Sequence, residues 1–567
     1  MENPEVAQCF DEVADLLELQ DANPFRVRAY RSAARTIRDC SQPLASLTEK
    51  DLCQLSGIGK DLAGKIRTIL DSGDLPLRHE LQAKVPSGLR TLMELPNLGP
   101  KRAQILYHSL HVDSLDNLRQ AAEKHRIRRL RGFGATTEDK ILQALKHLEP
   151  GGRRMLLAEA KVFADAVVRH MKESQDVGQI DVAGSFRRRK ETVGDLDLLV
   201  ACRRSGAVMD RLADYEAVAD VLARGKTKMT VRLRNGLQMD LRVVRDESYG
   251  AALQYFTGSK EHSILLRRRA QDRGLKMNEY GVFRGKRRIA GRTEEDVYRA
   301  IDLPWIPPEL REARQEITWA IEHRLPKLIE LEDLRGDLHM HTTATDGRSS
   351  LEEMVAAAER RGYAYIAITD HSKRVTMARG LDKRRLRQHW KQIDKLRASF
   401  PRIAVLKGVE LDILEDATLD LPDDVLAEAD WVVASIHYGQ NQPRERITQR
   451  LLNAIRNPYV HAIGHPTGRL IGKRKPQDVD LDAVFKAAAD FGCFLELNAQ
   501  PDRLDLDDVA VMAAKQHGVG IVINTDAHSV EELAFMEYGV YQARRGGLEA
   551  ADVLNTRTLA QFRKALK

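Results

Sequence analysis

At 567 residues, with 43% hydrophobic and 31% charged side chains, the chain is too long for one core and reads as several globular domains. No apolar run approaches the roughly 20 residues of a membrane span, and the opening "MENPEVAQCF" has no signal-peptide pattern. Cys9, Cys40, Cys53, Cys202 and Cys493 are scattered without a CxxC, which argues against a disulfide framework or a thiolate zinc site and predicts a reduced, cytoplasmic protein. The charge is uneven. Residues 1–330 carry 57 Lys+Arg against 48 Asp+Glu, and residues 331–567 carry 33 against 35. The clusters "RRRK" (187–190), "RRR" (267–269) and "RGKRR" (284–288) predict a polyanionic partner for the first part.

Residues 1–150 read as helical. "LSGIGKDLAGKIRTIL" (55–70) sets a Gly-x-Gly turn before an amphipathic helix. "LPNLGPKRAQILYHSL" (95–110) and "LRGFGATTEDKILQAL" (130–145) repeat the frame. Glycine permits the positive φ of such a turn, and the following helix offers free N–H groups to a phosphate. The three stretches resemble helix-hairpin-helix motifs, which hold DNA backbones without reading sequence. Gly57, Gly59, Gly99, Gly132 and Gly134 are the candidate DNA-binding positions. The net charge of these residues is only +1, so any grip there is local.

"DVAGSFRRRKETVGDLDLLVACR" (181–203) contains a strand with Asp195 and Asp197 on one face. "TVRLRNGLQMDLRVV" (230–244) reads as a hairpin turning at Asn235-Gly236, with Asp240 on its second strand. Buried carboxylates this close need a cation, and three on adjacent strands suit two Mg²⁺ or Mn²⁺ ions in phosphoryl transfer. Gly184-Ser185 and Arg188 are placed to meet phosphates.

"GSFRRRKETVGDLDLLV", "MDLRVV", "YFTGSKEH" (255–262) and "GLKMNEYGVF" (274–283) resemble the palm and thumb of family X DNA polymerases, the group of DNA polymerase beta. The resemblance implies that Asp195, Asp197 and Asp240 bind the catalytic metals, with Asp240 helping to activate the primer 3′-hydroxyl. It implies that Ser185, Arg188 and Gly194 hold the triphosphate of a dNTP, and that Tyr255, Phe256 and Gly258 line the sugar pocket. Lys65 falls at the position of the beta-type lyase nucleophile, although Asp61 one turn earlier gives it little support. Two positions depart from the family pattern. Ser263 stands where an asparagine commonly meets the base, and Gln238 stands where an arginine often precedes the third aspartate. Both predict a weaker polymerase.

Beyond the Pro- and Glu-rich stretch before residue 335, short apolar strands alternate with helical runs, predicting a parallel sheet closed as a distorted (β/α)-barrel. The strands are "RGDLHMH", "YAYIAITDH", "RIAVLKGVEL", "DWVVASIHY", "HAIGHP", "CFLELN" and "GIVINTDAH". All but "CFLELN" end in metal-ligand residue types: His339 and His341, His371, Glu410, His437, His465, Asp526 and His528. Asp346 follows the first pair and joins the set, whereas Glu496 and Asn498 are not counted as ligands. Strand C-terminal ends are where barrel sites form, and nine nitrogen and oxygen ligands suit two or three Mn²⁺ or Zn²⁺ ions. The motifs "HMHTTATDG", "TDHS", "GVELDI", "SIHYG", "GHPTGR" and "NTDAHS" resemble the PHP (polymerase and histidinol phosphatase) domain, implying metal-dependent phosphoester hydrolysis. Arg469 and Arg503 are candidate phosphate clamps there.

The expected organisation is a helical domain over 1–80, a helical fingers-like domain over 81–150, a nucleotidyltransferase palm over 151–245, a thumb over 246–315, a linker over 316–334 and the barrel over 335–567. The expected protein is a monomeric gap-filling DNA polymerase with a 3′-5′ exonuclease. Its partners are gapped or primer-template DNA and dNTPs, with no membrane. Two rival readings stay open. One is a repair nuclease or DNA-end-binding scaffold with a weak or inactive polymerase half. The other is a histidinol-phosphatase-like enzyme, against which residues 1–330 argue.

Overall fold

The computed structural model describes residues 3–20, 22–40, 42, 44–82, 89, 92, 98, 100–130, 132–134, 137, 138, 141 and 154–566. The chain divides into two compact units, residues 1–153 and 154–567.

In the first unit, α1 (Asn3–Leu19), α2 (Pro24–Arg38) and α3 (Lys60–Ser72) bury one core that includes Phe10, Tyr30, Ile37 and Ile66. The start of α2 is set locally: Pro24 takes the first turn and the Asn23 side chain accepts from the Phe25 N–H. A second core joins α4 (Pro100–Leu110) and α5 (Leu115–Glu123) around Leu106, Leu118 and Ile127. Gly57 and Gly132 take φ of +79° and +87°, and Gly59 is the N-cap of α3, so the first hairpin turns as its glycines require. Gly99 lies outside the described residues.

The second unit begins with α6 (Leu157–Lys172) packed on a five-stranded palm sheet, seen among the described residues. Its strands are β1 (Gln179–Val182), β2 (Asp195–Ala201), β3 (Val218–Arg224), β4 (Lys228–Leu233) and β5 (Gln238–Val244), in the order β1-β2-β5-β4-β3. β2 and β5 run parallel with Asp197 opposite Asp240 and Asp195 opposite Gln238. The thumb follows as α7 (Tyr249–Thr257), α8 (Lys260–Asp272) and the antiparallel strands β6 (Lys276–Asn278), β7 (Gly281–Arg284) and β8 (Arg287–Ala290). Within 316–334, the helix Glu316–Ile321 places Ala320 in the thumb core, and Leu328 bridges to Glu549 of the barrel.

The last sheet takes its strands in chain order, all parallel. They are β9 (Gly336–Asp337), β10 (Tyr365–Ile368), β11 (Ala404–Asp412), β12 (Trp431–Ser435), β13 (Ala462–Ile463), β14 (Phe494–Asn498) and β15 (Ile521–Asn524). The edges nearly meet: Met340 bridges to Ala527, and the Asp337 carboxylate accepts from both the N–H and the hydroxyl of Thr525. Alternation sorts the side chains into two layers. Tyr365, Leu406, Trp431, Phe494 and Val522 fill the interior with Phe562, whereas Ile366, Val405, Val432, Leu495 and Ile523 pack outward with helices such as α9 (Leu351–Arg360) and α10 (Lys383–Leu396). Two or four residues on, the same inward parity yields Glu410, Glu496, Asn524 and Asp526. The interior therefore changes from apolar at the strand starts to ligand-bearing at their C-terminal ends.

Candidate active sites

The palm site begins with a close approach. Gly184 opens the one-turn helix Gly184–Arg187 at φ +63°, and a Cβ there would lie 2.4 Å from Asp197 Oδ2. Only glycine lets the phosphate-facing turn sit against the carboxylate. Asp195 is exposed, and Asp197 and Asp240 are half-buried. Burial raises the Asp197 carboxyl first, and the charges of Asp195 and Asp240 add to reach about 7. Burial and Asp240 raise Asp195 as well. Three mutually repelling carboxylates are a set that a divalent cation stabilises. Asp240 is anchored by the Thr230 hydroxyl and by Lys228 Nζ at 3.6 Å.

Above these residues lies a cavity of about 770 Å³, lined by Ser185, Arg188, Tyr255, Phe256 and Gly258 and by Arg154, which the sequence reading left out. A Cβ on Gly194 would lie 3.1 Å from Arg154 Nη1, which explains that glycine. Arg188 donates to the carbonyl of Thr257 and, at 3.1 Å, to Glu312. The Arg242 guanidinium stacks over Phe256 at 5.0 Å, tying β5 to the thumb. Ser263 lines the cavity, and Gln238 sits beside Asp195 in register.

The barrel cluster centres on Glu410, which is 1% exposed. Its carboxylate oxygens lie 3.1 Å from His465 Nε2, 3.2 Å from His437 Nε2, 2.7 Å from His371 Nδ1, 3.5 Å from His339 Nε2 and 3.6 Å from His341 Nε2. Three overlapping groups have ligand atoms within 4.8 Å of one another: His341, Asp346, His371 and His528; His339, His341 and Asp526; and His371, Glu410 and His437. His465 joins through Glu410, so all nine expected ligands converge. His465 and Asp526 hold φ of +29° and +51°, a strained backbone that persists where the surroundings impose it.

The donor set fits cations. His339 Nε2, His341 Nδ1, His437 Nδ1 and His465 Nδ1 are buried without hydrogen-bond partners, the state of atoms that would face an ion. Burial disfavours the imidazolium of His437 and His371, yet Glu410 and the nearby aspartates outweigh it, to about 10 and about 9. His341 is pushed down to about 4 by burial and by His528 and His371. Imidazoles and carboxylates crowded this closely form a donor set consistent with metal binding.

The sequence reading missed the supports. Glu496 accepts from His339 Nδ1 at 2.7 Å and from the His465 backbone N–H at 2.7 Å, so it orients two ligands from beneath. Asp370 accepts from Thr342 and Thr345 and pairs with His389 of α10 at 2.9 Å, fixing the loop that carries Asp346.

The expected phosphate clamps need correction. Arg469 does not stand over the histidines. Its guanidinium donates to Glu191 at 2.7 Å and to the Leu504 carbonyl, and it lines the palm cavity. Arg503 is half-buried against Asp505 and Arg474. In the first unit, Lys65 bonds to Asp61 and lies over the Tyr30 ring. Burial lowers its amine, but Asp61 and Tyr30 outweigh that and raise it above its ordinary value.

Comparison with known proteins agrees with these two sites. The helix-hairpin-helix domain family matches residues 1–75, the SAM-like helix-hairpin-helix tandem 89–147, the DNA polymerase beta thumb 252–312 and the PHP domain 337–500. The DNA polymerase/3′-5′ exonuclease PolX of Bacillus subtilis is 41% identical over 572 residues, covering 100% of both chains. Rat DNA polymerase lambda is 27% identical over 319 residues, 51% of this chain and 52% of its own. A probable phosphatase of Thermoanaerobacter sp. is 30% identical over 231 residues, 39% of this chain and 89% of its own. The chain belongs to the PolX family, the bacterial family X DNA polymerases with a C-terminal PHP domain.

Proposed function

We propose that the chain extends DNA primers at the palm and removes nucleotides from 3′ ends at the barrel, filling short gaps in repair. One observation carries this: two separate cation-seeking sites, a carboxylate triad and a histidine-rich cluster, lie in one compact unit of a chain that aligns end to end with a relative named for both activities.

At the palm, Asp195, Asp197 and Asp240 would hold Mg²⁺ or Mn²⁺, which neutralise the triphosphate and activate the primer hydroxyl. Ser185, Arg188 and Gly194 take the phosphates of the dNTP. Tyr255, Phe256 and Gly258 would bound the sugar, with the backbone at Gly258 approaching closely enough to exclude a 2′-hydroxyl. At the barrel, His339, His341, Asp346, His371, Glu410, His437, His465, Asp526 and His528 would hold two or three Mn²⁺ or Zn²⁺ ions, which supply a hydroxide and bind the phosphodiester oxygens. Gly57, Gly59, Gly99, Gly132 and Gly134 serve the DNA backbone, in a cytoplasmic monomer. The protonated Lys65 leaves lyase chemistry outside this reading.

The test incubates a gapped primer-template with protein and Mg²⁺ or Mn²⁺, with and without nucleotides, and resolves lengths on a gel. Extension with nucleotides and shortening without them is expected. Shortening alone would favour the second reading, a repair nuclease with a weak polymerase half, for which Ser263 and Gln238 speak. Neither product would sink both.

A further inference from the structure

The cavity over the palm carboxylates is walled on one side by the barrel. Arg469, Asp508, Gln542 and Arg545 line it, the last two on the helix α11 (Met536–Arg545), which follows the strand end carrying Asp526 and His528. Arg545 is 3% exposed and makes the closest link. It donates to the carbonyl of Arg188 at 2.7 Å and to Glu312 Oε1 at 3.0 Å, the same oxygen that Arg188 Nε reaches at 3.1 Å. The barrel thus stands one carboxylate away from the arginine assigned to the nucleotide phosphates.

The charges there do not balance. The cavity lining carries seven basic side chains against five acidic ones, and on its barrel side Arg188, Lys190, Arg314 and Arg545 gather on Glu312 and Asp508. Burial pushes the Lys190 ammonium below its ordinary range in spite of Glu312. An excess of buried positive charge is stable when an anion shares it. Gln542 adds a donor: the residue borders the cavity, is 2% exposed, and its Nε2 is buried with no hydrogen-bond partner. Buried amide donors are almost always satisfied, so one left open beside a cationic cavity points to a ligand oxygen.

We propose that the barrel completes the nucleotide site: Gln542 donates to the outermost phosphate of the incoming deoxynucleoside triphosphate, and the cation cluster around Arg545 attracts that phosphate. This rests on the polymerase reading of the palm. In that reading Ser185, Arg188 and Gly194 take the inner phosphates, which leaves the outermost one for the barrel side of the cavity. Gln542 touches no reacting atom, so its loss weakens nucleotide binding and leaves the chemical step alone.

The test is steady-state primer extension with wild type, Gln542→Met, which keeps the shape and loses the donor, and Gln542→Glu, which turns a carboxylate toward the phosphate. The matching deoxynucleoside diphosphate serves as a competitive inhibitor. Gln542→Met should raise KM for the triphosphate about ten-fold, the cost of one hydrogen bond to a charged group, with kcat unchanged. Gln542→Glu should raise it further. Inhibition by the diphosphate, which lacks the outermost phosphate, should stay within about two-fold of wild type in both. Unchanged KM in both variants overturns the proposal, as does a fall in kcat alone or an equal loss of diphosphate inhibition. A wild type that extends no primer strikes the polymerase reading instead.

Discussion

The palm and the barrel use the same kind of chemistry with opposite degrees of preparation. In the palm, Asp195 and Asp197 line an open cavity, Asp195 is exposed, and with Asp240 they form a set of mutually repelling carboxylates. In the barrel, His339 and His341 are fully buried, Glu410 is 1% exposed, and imidazoles and carboxylates interleave around one another. Water competes for ions in the first setting and is largely excluded from the second. In the proposed function the palm would be completed when nucleotide and ions arrive together, whereas the barrel's candidate ligands already converge. The supports agree with this. Asp240 is held by one hydroxyl and a lysine, whereas the barrel ligands rest on a buried layer of Glu496, Asn498, Asn524 and Asp370.

The comparison breaks if the two sites are not separate. Asp195→Ala combined with Asp197→Ala should abolish primer extension, by well over the ~10²–10³-fold lost with a single stabilising donor. Removal of 3′ nucleotides by the same preparation should continue. Persistent extension on the gel would refute the palm assignment. The reciprocal variant, His341→Ala, takes out an imidazole shared by two of the three ligand groups. It should lower bound metal and slow 3′ removal by more than about 100-fold, since even a ligand's support costs 10–100-fold. Extension should survive. Full metal by elemental analysis with an undiminished exonuclease rate would sink this assignment.

The barrel was legible in the sequence because its strands are short apolar runs whose ends carry the ligands, and the fold places strand ends together. Glu496 was within reach of the same logic. It shares inward parity with Phe494, but it was passed over because "CFLELN" lacks a histidine at its end. Asp370 pairs with a histidine from α10, and such a long-range contact leaves no mark in local spacing. Arg469 misled for the same reason. It lies four residues after His465, but Gly468 at φ +60° redirects the chain and Glu191, 278 residues away, captures the guanidinium. The palm triad was legible because two carboxylates at i and i+2 in an apolar strand are costly without a cation. The barrel wall of its cavity was not, since domain packing depends on surfaces that no motif records.

The next effect is intermediate. Glu496→Gln keeps the size of the side chain and removes the charge that faces His339 Nδ1 and the His465 N–H. Loss of such a support costs about 10–100-fold in metal affinity or activity. The 3′-removal rate and metal content should fall in that range, between wild type and His341→Ala. A variant equal to wild type would show that burial alone positions the two ligands.

The smallest effect tests the other side of the comparison. Thr230 on β4 lies opposite Asp240 on β5 in register, is 8% exposed, and donates its hydroxyl to Asp240 Oδ1. Lys228 Nζ holds the second oxygen at 3.6 Å, from a half-buried position where screening weakens it. Thr230→Val preserves the branched shape that suits the strand and deletes only the hydrogen bond. The carboxylate regains rotamer freedom but keeps its lysine, so its alignment with the primer hydroxyl is loosened rather than lost. A hydrogen bond to a charged group contributes at least about 1.5 kcal/mol where it is buried, and partial exposure with a second anchor leaves part of that, which predicts a fall in kcat of less than about ten-fold. KM for nucleotide should not move, because Asp240 faces the primer. A loss approaching that of the double aspartate variant would mean that the palm is as dependent on its supports as the barrel, and the distinction between a site assembled by its substrate and one assembled beforehand would fail.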